Sequence, residues 1–325
     1  MSEFDLIALI VPVLFPVLVG RAAVLARVLV RTDAKVLTSF FLYVAAPALL
    51  IVVIAKEDTA ELFEPKYVAA TTLLMLLQYG LLFSIHRYGS KRTAEVSAFA
   101  AFTGTKFNAV VMGLPVLLVA LGHKVIGAVA INLVISYLTI LPLTLVIHQL
   151  ARSSQARVGT TVAGAVGHAL RSALMYPLVV ATLIGLGLSE LGWRLPGWLD
   201  ASLRGLGAAA TPTALVAVGM AISGGGFQTR RVEVSLMSVF RVVISPVMAI
   251  GLAFLMGLSP FFSIALVVSF SLPTAKMVFA LAESYKTYSE EAADTIVVTT
   301  VSMAAVFPAV LWACEWLWPG VVGRH

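Results

Sequence analysis

Long apolar runs with few charges follow one another along almost the whole chain. Each run has roughly the 20 residues that an α-helix needs to cross the hydrocarbon core of a bilayer. We predict ten membrane-spanning helices and name them α1 to α10 in chain order. They lie near residues 4–25, 34–55, 66–86, 94–122, 125–148, 169–189, 204–225, 234–256, 260–283 and 292–316. The hydrophobic pattern therefore predicts an all-α integral membrane protein.

The composition excludes an ordinary soluble enzyme. Of the 325 residues, 60% are apolar and only 12% are charged, and the mean hydropathy is +1.00. Soluble domains are about 45–50% apolar and about 25% charged. The net charge of +6 is compatible with nucleic-acid binding, but in so apolar a chain the basic residues mostly set the orientation in the membrane. We therefore expect the lipid bilayer, and no nucleic acid, as a partner.

Basic residues are distributed unequally between the two sides of the predicted bundle. Fourteen lysines and arginines, including Arg241 near the start of α8, are assigned to one side, and six to the other. The side with the excess is expected to face the cytoplasm, which places both chain termini outside. The five tryptophans all fall at the outer interface, where an indole ring is favoured.

Two lysines, Lys106 and Lys276, remain inside predicted spans, and none of the 16 acids lies near a span centre. A lysine at a helix centre costs about 2.5–3.5 kcal/mol on insertion scales. Three interpretations stay open. The side chains extend to the cytoplasmic surface, they bind an anionic substrate, or they supply a fixed charge that replaces a coupling cation and neutralises helix-end carbonyls.

Prolines and glycines recur at a spacing that indicates an internal repeat. Pro12, Gly20 and Pro47 are matched 165 positions later by Pro177, Gly185 and Pro212, and Pro142 is matched by Pro308 after 166. We predict two five-helix halves, 1–150 and 169–325, joined by a cytoplasmic linker, 151–168. Because five is odd, the second half enters the membrane inverted. Inverted repeats of this kind are typical of transporters whose substrate site lies where discontinuous helices meet.

The predicted helices α4 and α9 carry helix-breaking residues near their centres. We expect the interruption of α4 at Asn108, Gly113 and Pro115, with Gly113-Leu-Pro115 matching Ser271-Leu-Pro273 of α9 at a spacing of 158. Unwound backbone at membrane depth is tolerated only where it is buried in protein or lines a cavity. A substrate site is therefore expected at the two breaks, with simple proline kinks as the alternative. The candidate site residues are Lys106, Asn108, Gly113, Pro115, Asn132, Tyr137, Ser271, Pro273, Thr274 and Lys276.

Asn132 and Tyr137 belong to α5, where hydrogen bonding between helices is an equally good interpretation. Nothing in the chain indicates catalysis or a cofactor. His86, His123 and His148 lie near span ends, as does His168, and the four are too scattered for a metal cluster. The single cysteine excludes an internal disulfide. We predict no enzyme activity, no metal and no cofactor, because no nucleophile–base pair or acid cluster is visible.

Five segments spread over nearly the whole chain carry a family resemblance. They are FLYVAAPAL (41–49), NAVVMGLPVLLVALG (108–122), YPLVVATLIG (176–185), LGAAATPTALVAVGM (206–220) and SLPTAKMVFALAESYK (271–286). Together they resemble the auxin efflux carrier family, which includes the plant PIN-FORMED carriers and bacterial relatives. One departure is Tyr176, where the family usually has asparagine before the proline, so no role is carried over to it.

The resemblance implies a fold like that of the bile-acid and sodium/proton carriers. Helices α1, α2, α6 and α7 would form a scaffold and often a homodimer interface. Helices α3–α5 and α8–α10 would form a transport domain in which the broken helices α4 and α9 cross. The resemblance also implies elevator-type movement of small organic anions across the inner (cell) membrane of a bacterium. Among the functional residues that the resemblance implies, Asn108 matches the family most directly. Its amide can form a hydrogen bond with a carboxylate or with an exposed backbone group.

We therefore expect a secondary transporter for a small carboxylate such as malate, malonate or an indole-acetate-like compound. Because the spans lack a central carboxylate, we expect no sodium requirement and a flux driven by the anion gradient or the membrane potential. Proton coupling through the carboxyl group of the substrate is the alternative for coupling. A membrane-embedded sensor that binds its ligand at the same site without turnover is the alternative function.

Overall fold

The computed structural model describes residues 15–30, 32–56, 64–122, 124–156, 164, 167, 171, 174–221 and 231–322. Within these residues the chain is mostly helical and contains no strand. The predicted linker 151–168 and the two termini lie for the most part outside the described residues. His123 and His168 lie outside them as well.

Each of the ten predicted runs contains helix where it is described. The bounds are α1 Phe15–Leu25; α2 Asp33–Ile54; α3 Pro65–Gly89; α4 Ala94–Thr105, Ala109–Gly113 and Leu114–Leu121; α5 Val125–Leu138 and Ile140–Ala156; α6 Pro177–Glu190; α7 Gly197–Ala208 and Ala210–Ala221; α8 Arg231–Val239, Phe240–Ile244 and Ser245–Met256; α9 Pro260–Ser271 and Lys276–Ser284; and α10 Ser289–Leu317. We call the parts before and after the interruptions α4a and α4b, and α9a and α9b.

Four helices in the described part of the chain are each long and apolar enough to cross a membrane. They are α2, α3, Val125–Ala151 of α5 and Val232–Met256 of α8. Helix α10 gives a fifth if its halves, which meet at a bend of 56°, count as one span. The bend follows Met303, where the ring of Pro308 opposes the carbonyl four residues earlier. These helices are those of an integral membrane protein. The ten-span count and the inverted halves 1–150 and 169–325 stay predictions.

Polar side chains point into the bundle, and many large apolar side chains point outward. On α3, Thr71 and Gln78 are completely buried, whereas Leu73 and Leu77 are exposed. A hydrocarbon environment favours this distribution, because polar groups find partners only inside the protein. Helix α4a, the first half of α5 and α9a are buried along nearly their whole length, so they form the centre of the bundle.

Two helix crossings depend on glycines that let the helices approach each other closely. A Cβ atom on Gly219 of α7 would lie 1.9 Å from the carbonyl oxygen of Val17 on α1. At the crossing of α2 and α6, a Cβ atom on Gly185 would lie 2.9 Å from the Cβ atom of Ile54. Ile54 and Gly219 are 165 positions apart, so the two crossings occur at corresponding places in the two predicted halves.

We expect Gly219→Ala to lower the thermal stability of the purified protein. The added methyl group meets backbone, which cannot rotate away as a side chain can, and overpacking of this kind costs about 1–3 kcal/mol. Gly251→Ala on α8 is the matched control, because nothing lies within 4 Å of a Cβ atom there. The measurement is the unfolding midpoint in detergent, and equal midpoints for the two variants would contradict the close crossing.

Candidate functional site

The interruptions of α4 and α9 cross and pair with each other. Helix α4a ends at Thr105 and α4b begins at Ala109, whereas α9a ends at Ser271 and α9b begins at Lys276. The Asn108 N–H donates to the Pro273 carbonyl at 2.9 Å, and the Ala275 N–H donates to the Lys106 carbonyl at 3.0 Å. The result is one antiparallel bridge between Phe107 and Thr274. Each unwound segment thus satisfies backbone groups of the other.

The interruption of α4 lies earlier than the sequence predicts. Gly113 ends a π-helical turn and Pro115 lies in the first turn of the following α-helix, so the chain stays helical through both. The wider π-helical turn before Pro115 gives room for the proline ring. Proline has no backbone N–H, but in the first turn of an α-helix this group has no acceptor within the helix, so nothing is lost. The predicted match between Gly113-Leu-Pro115 and Ser271-Leu-Pro273 is therefore wrong. The first extended residues, Lys106 and Leu272, are 166 positions apart, which agrees with the spacing of the other prolines.

A fully buried arginine lies against the crossing. The Arg241 guanidinium donates to the Leu272 carbonyl at 2.9 Å through Nε and to the Phe270 carbonyl at 2.5 Å through Nη2. Its Nη1 donates to the Gly104 carbonyl at 3.2 Å and to the Thr105 carbonyl at 3.0 Å. One cation therefore bonds carbonyl oxygens at the ends of both α4a and α9a.

Counting Arg241 among the cytoplasmic loop residues is wrong. It lies inside the apolar span Val232–Met256, on the π-helical turn Phe240–Ile244, and its side chain points into the bundle. The sequence did carry a signal, because the predicted α8 run, 234–256, already contained position 241. The buried carbonyls of the crossing, which no sequence pattern reveals, give this charge its partners.

A small cavity lies beside the crossing, where α4b and α9b begin. Its volume is about 50 Å³, and its walls include Lys106, Asn108 and Lys276. The first residues of both half-helices, Ala109 and Met277 among them, also line it. Helix N-termini carry partial positive charge and free N–H groups, so both helices direct an anion-attracting end towards this space.

The cavity is rich in positive charge and poor in negative charge. Lys106 is 5% exposed, its ammonium group donates to the Ser136 hydroxyl, and Nζ lies 4.3 Å from the ring centroid of Tyr137. Lys276 is half-buried on the opposite segment of the crossing. Among the described residues, no carboxylate lies within 4.0 Å of either ammonium group. The site therefore presents two ammonium groups whose charge no carboxylate among the described residues compensates.

Comparison with known proteins agrees with a transport role. Residues 5–313 match a family model described as membrane transport protein. The chain belongs to this family. The resemblance to the auxin efflux carriers is thereby confirmed at the level of the family.

Two relatives cover most of this membrane transport protein. A Rhizobium meliloti protein named "Putative malonate transporter" is 26% identical over 277 residues, which are 85% of each chain. An uncharacterized transporter of Methanocaldococcus jannaschii is 23% identical over 294 residues, which are 89% of this chain and 92% of that one. A relative with a substrate in its name is thus similar to this transporter over nearly its whole length.

The predicted site residues of this transporter divide into three groups. Lys106, Asn108, Tyr137 and Lys276 line the cavity. Pro273 and Thr274 form the crossing itself, where the Thr274 hydroxyl donates to the Thr103 carbonyl at 3.0 Å. The remaining four lie outside the lining of the cavity and are Gly113, Pro115, Asn132 and Ser271.

Asn132 links three helices rather than lining the cavity. Its Oδ1 accepts from the Tyr67 hydroxyl at 3.1 Å and from the Thr71 hydroxyl at 3.3 Å, and its Nδ2 donates to the Ser269 hydroxyl at 2.9 Å. The bonds join α3 and α5 to α9a. Gly113 also acts near the crossing, because a Cβ atom there would lie 2.5 Å from a methyl group of Leu272.

Tyr176 lines the cavity, although no role was assigned to it from the family resemblance. Its ring stacks on Tyr137 with centroids 4.5 Å apart and an interplanar angle of 23°. Thr38 of α2 and Tyr176, just before α6, line the same cavity as the two lysines. The cavity therefore lies between the two sets of helices that the family resemblance divides into scaffold and transport domain.

A larger cavity of about 850 Å³ opens at the ends of α2 and α6, beside Trp193. Its charged residues include Lys56 and Asp200, which form an ion pair at 2.6 Å, and Asp200 also pairs with Arg204 at 2.6 Å. Lys56 of the larger cavity therefore has an internal carboxylate partner, unlike the two lysines of the small cavity. In the described residues, no group of three or more His, Cys, Asp or Glu side chains could hold a metal ion.

Proposed function

We propose that this membrane transporter moves a small organic anion, in particular a compact dicarboxylate, through the cavity beside the crossing of α4 and α9. The observation that carries the proposal is the pair Lys106 and Lys276, which line one cavity without a carboxylate partner among the described residues. A buried and a half-buried lysine without internal counter-charges are costly in a membrane, unless a ligand supplies the negative charge.

The charge of the site favours a dianion. Two unit charges 4 Å apart attract by about 4 kcal/mol at an effective dielectric constant of about 20. The cavity offers two ammonium groups and two helix N-termini, and a ligand with two carboxylates can meet both lysines at once. The Asn108 side chain, 6% exposed and lining the same cavity, adds an amide that can donate a hydrogen bond.

The size of the site favours a short substrate. A cavity of about 50 Å³ holds roughly four water molecules, at about 10–15 Å³ of probe volume each. A malonate-sized anion is compatible with modest opening of this space, whereas an indole ring requires far more. The name of the R. meliloti relative, "Putative malonate transporter", supports the same choice.

We infer an elevator-type movement in which α3–α5 and α8–α10 carry the site past a scaffold of α1, α2, α6 and α7. Both sets contribute residues to the cavity, Lys106 and Lys276 from the first set and Thr38 and Tyr176 from the second. The glycine crossings at Gly185 and Gly219 join helices of the scaffold only. We further propose two inverted halves, a homodimer through the scaffold and a location in the inner membrane of a bacterium.

Uptake of radiolabelled malonate into proteoliposomes tests the proposal. We expect saturable uptake and counterflow, competition by other short dicarboxylates and little competition by indole acetate. Flux in neither direction, together with stabilisation of the detergent-solubilised protein by malonate, would instead favour a ligand sensor. Transport of only monovalent or uncharged compounds would reject the dicarboxylate.

We expect Tyr176→Ala to weaken malonate transport and broaden the range of substrates. The aromatic pair with Tyr137 is worth about 0.5–1.5 kcal/mol, which corresponds to a rise in KM of about two- to tenfold. The space released by the ring admits longer dicarboxylates. The measurement is KM for malonate together with inhibition by a series of increasing length. Tyr88→Ala, at an exposed position, is the control and should leave both unchanged. An unchanged inhibition series in Tyr176→Ala would contradict a cavity wall at this position.

A further inference from the structure

The ends of α4a and α9a place four carbonyl oxygens around one point in the bundle interior. These oxygens belong to Gly104, Thr105, Phe270 and Leu272. The last turn of a helix has carbonyls without helical partners and carries partial negative charge. Two such ends converging inside a membrane attract a cation, and in transporters with broken helices these groups coordinate a coupling ion.

In this chain the guanidinium of Arg241 occupies that point. It is completely buried and bonds all four oxygens at 2.5 to 3.2 Å. Its central carbon lies 5.3 Å from the ring centroid of Phe107 and 5.9 Å from that of Phe270. Two aromatic faces therefore complete a shell of oxygens and π-electrons around a single positive charge.

The charge of Arg241 is compensated by backbone dipoles rather than by an acid. Among the described residues, no carboxylate lies within 4.0 Å of it, and Glu233 on the same helix pairs with Arg92 at 2.5 Å. An arginine that only joined the ends of α4a and α9a would need one hydrogen bond to each of them. Here every guanidinium nitrogen donates to a carbonyl at a helix end.

We propose that the Arg241 guanidinium is a permanently bound counter-cation of the crossing, occupying the position of an exchangeable monovalent cation. The consequence for the carrier, which rests on the proposed anion transport, is that flux requires neither sodium nor another small cation. The anion site then lies at the N-termini of α4b and α9b. The cation site lies at the C-termini of α4a and α9a, which face Arg241. Arg241 is a positioning residue, because it acts on the substrate through the crossing.

Replacement of Arg241 by alanine tests the proposal by leaving the four oxygens without their cation. We expect a lower unfolding midpoint in choline chloride and a saturable recovery in millimolar guanidinium chloride, far below denaturing concentrations. Arg241→Met fills the vacated space and should gain nothing from guanidinium. The wild type should respond to neither salt. Arg241→Ala that is as stable as the wild type in choline, or that guanidinium fails to stabilise, would overturn the proposal.

Malonate flux gives a readout that a purely structural role would not move. In choline, uptake by Arg241→Ala should fall by about tenfold or more, because a buried network has lost its charged partner. Guanidinium, or sodium at higher concentration, should restore it. The reversal potential should then depend on the gradient of the restoring cation, as it does not in the wild type. Arg241→Lys, which keeps the charge, should transport without an added cation.

The wild type supplies a test that does not depend on the folding of any variant. Its uptake should be the same when sodium and potassium are both replaced by choline, and a requirement for either ion would overturn the proposal. If the wild type moves no anion at all, the proposed function fails, while recovery of Arg241→Ala stability by guanidinium still supports the counter-cation. If the wild type transports but guanidinium has no effect on Arg241→Ala, only the counter-cation fails.

Discussion

Replacing Lys106 by glutamine is expected to lower kcat/KM for malonate by about a hundredfold, because loss of one partner of a buried charge pair costs about 2–5 kcal/mol. Lys106 is 5% exposed, so water cannot replace the lost charge at the carboxylate. Glutamine keeps much of the length of the side chain and can still bond the Ser136 hydroxyl. The measurement is initial uptake into proteoliposomes over a range of malonate concentrations.

Lys124→Gln is the control for loss of an exposed lysine, and Lys276→Gln tests the second lysine of the cavity. Lys124 is an exposed lysine just before α5, and its loss should leave transport within about twofold of the wild type. Lys276 is half-buried, so its loss should cost less than that of Lys106. Normal uptake in both Lys106→Gln and Lys276→Gln would remove the lysines from the mechanism and with them the basis of the anion proposal.

The sequence predicted that α4 and α9 are interrupted, but not the contacts that the interruptions make. The helix-breaking residues and the two lysines inside predicted spans indicated α4 and α9, since a charge in so apolar a chain is visible without a structure. That these two helices cross was implied by the family resemblance alone. The location of the break in α4 was not visible, because Gly113 and Pro115 are compatible with a π-helical turn as well as with unwound chain. The 166-residue spacing between Lys106 and Leu272 becomes apparent only once both breaks are located.

Tertiary partners explain the remaining differences. Arg241 was assigned to a loop because a basic residue near a span end normally faces the cytoplasm. Its role depends on carbonyls that are 31 and 137 positions away along the chain, at Leu272 and Gly104. Asn132 likewise bonds Tyr67 and Ser269 across helix boundaries, which neither residue type nor spacing predicts. Position 176 is tyrosine where the family usually has asparagine, yet the Tyr176 ring stacks on Tyr137 and lies in the cavity wall.

These contacts separate two kinds of positive charge within one crossing. Arg241 has a full set of internal partners and is therefore expected to stay in place during transport. Lys106 and Lys276 border a cavity and have no acidic partner among the described residues, which is why we propose them as the groups that bind and release an anion. Under these two proposals the carrier exchanges only the substrate.

Cross-linking the two walls of the cavity is expected to abolish transport. Tyr176 lies just before α6 of the proposed scaffold and Met277 lies on α9b of the proposed transport domain, and both line the same small cavity. In a Cys314→Ser background, Tyr176→Cys with Met277→Cys should lose nearly all malonate uptake after treatment with a short bifunctional thiol reagent. The loss is expected because the link prevents movement of one set of helices past the other. If the reagent contains a disulfide, reduction of the link should return uptake to that of the untreated double variant.

The matched control joins two residues that are proposed to move together. Thr71 of α3 and Ser269 of α9a both bond Asn132, so Thr71→Cys with Ser269→Cys can be linked by the same reagent. Linking within one moving body should leave uptake close to that of the untreated variant. If both links block uptake equally, the effect is general rigidity. If a verified link between Tyr176→Cys and Met277→Cys leaves transport intact, the wall of Tyr176 travels with the substrate, and the proposed division into scaffold and transport domain is wrong.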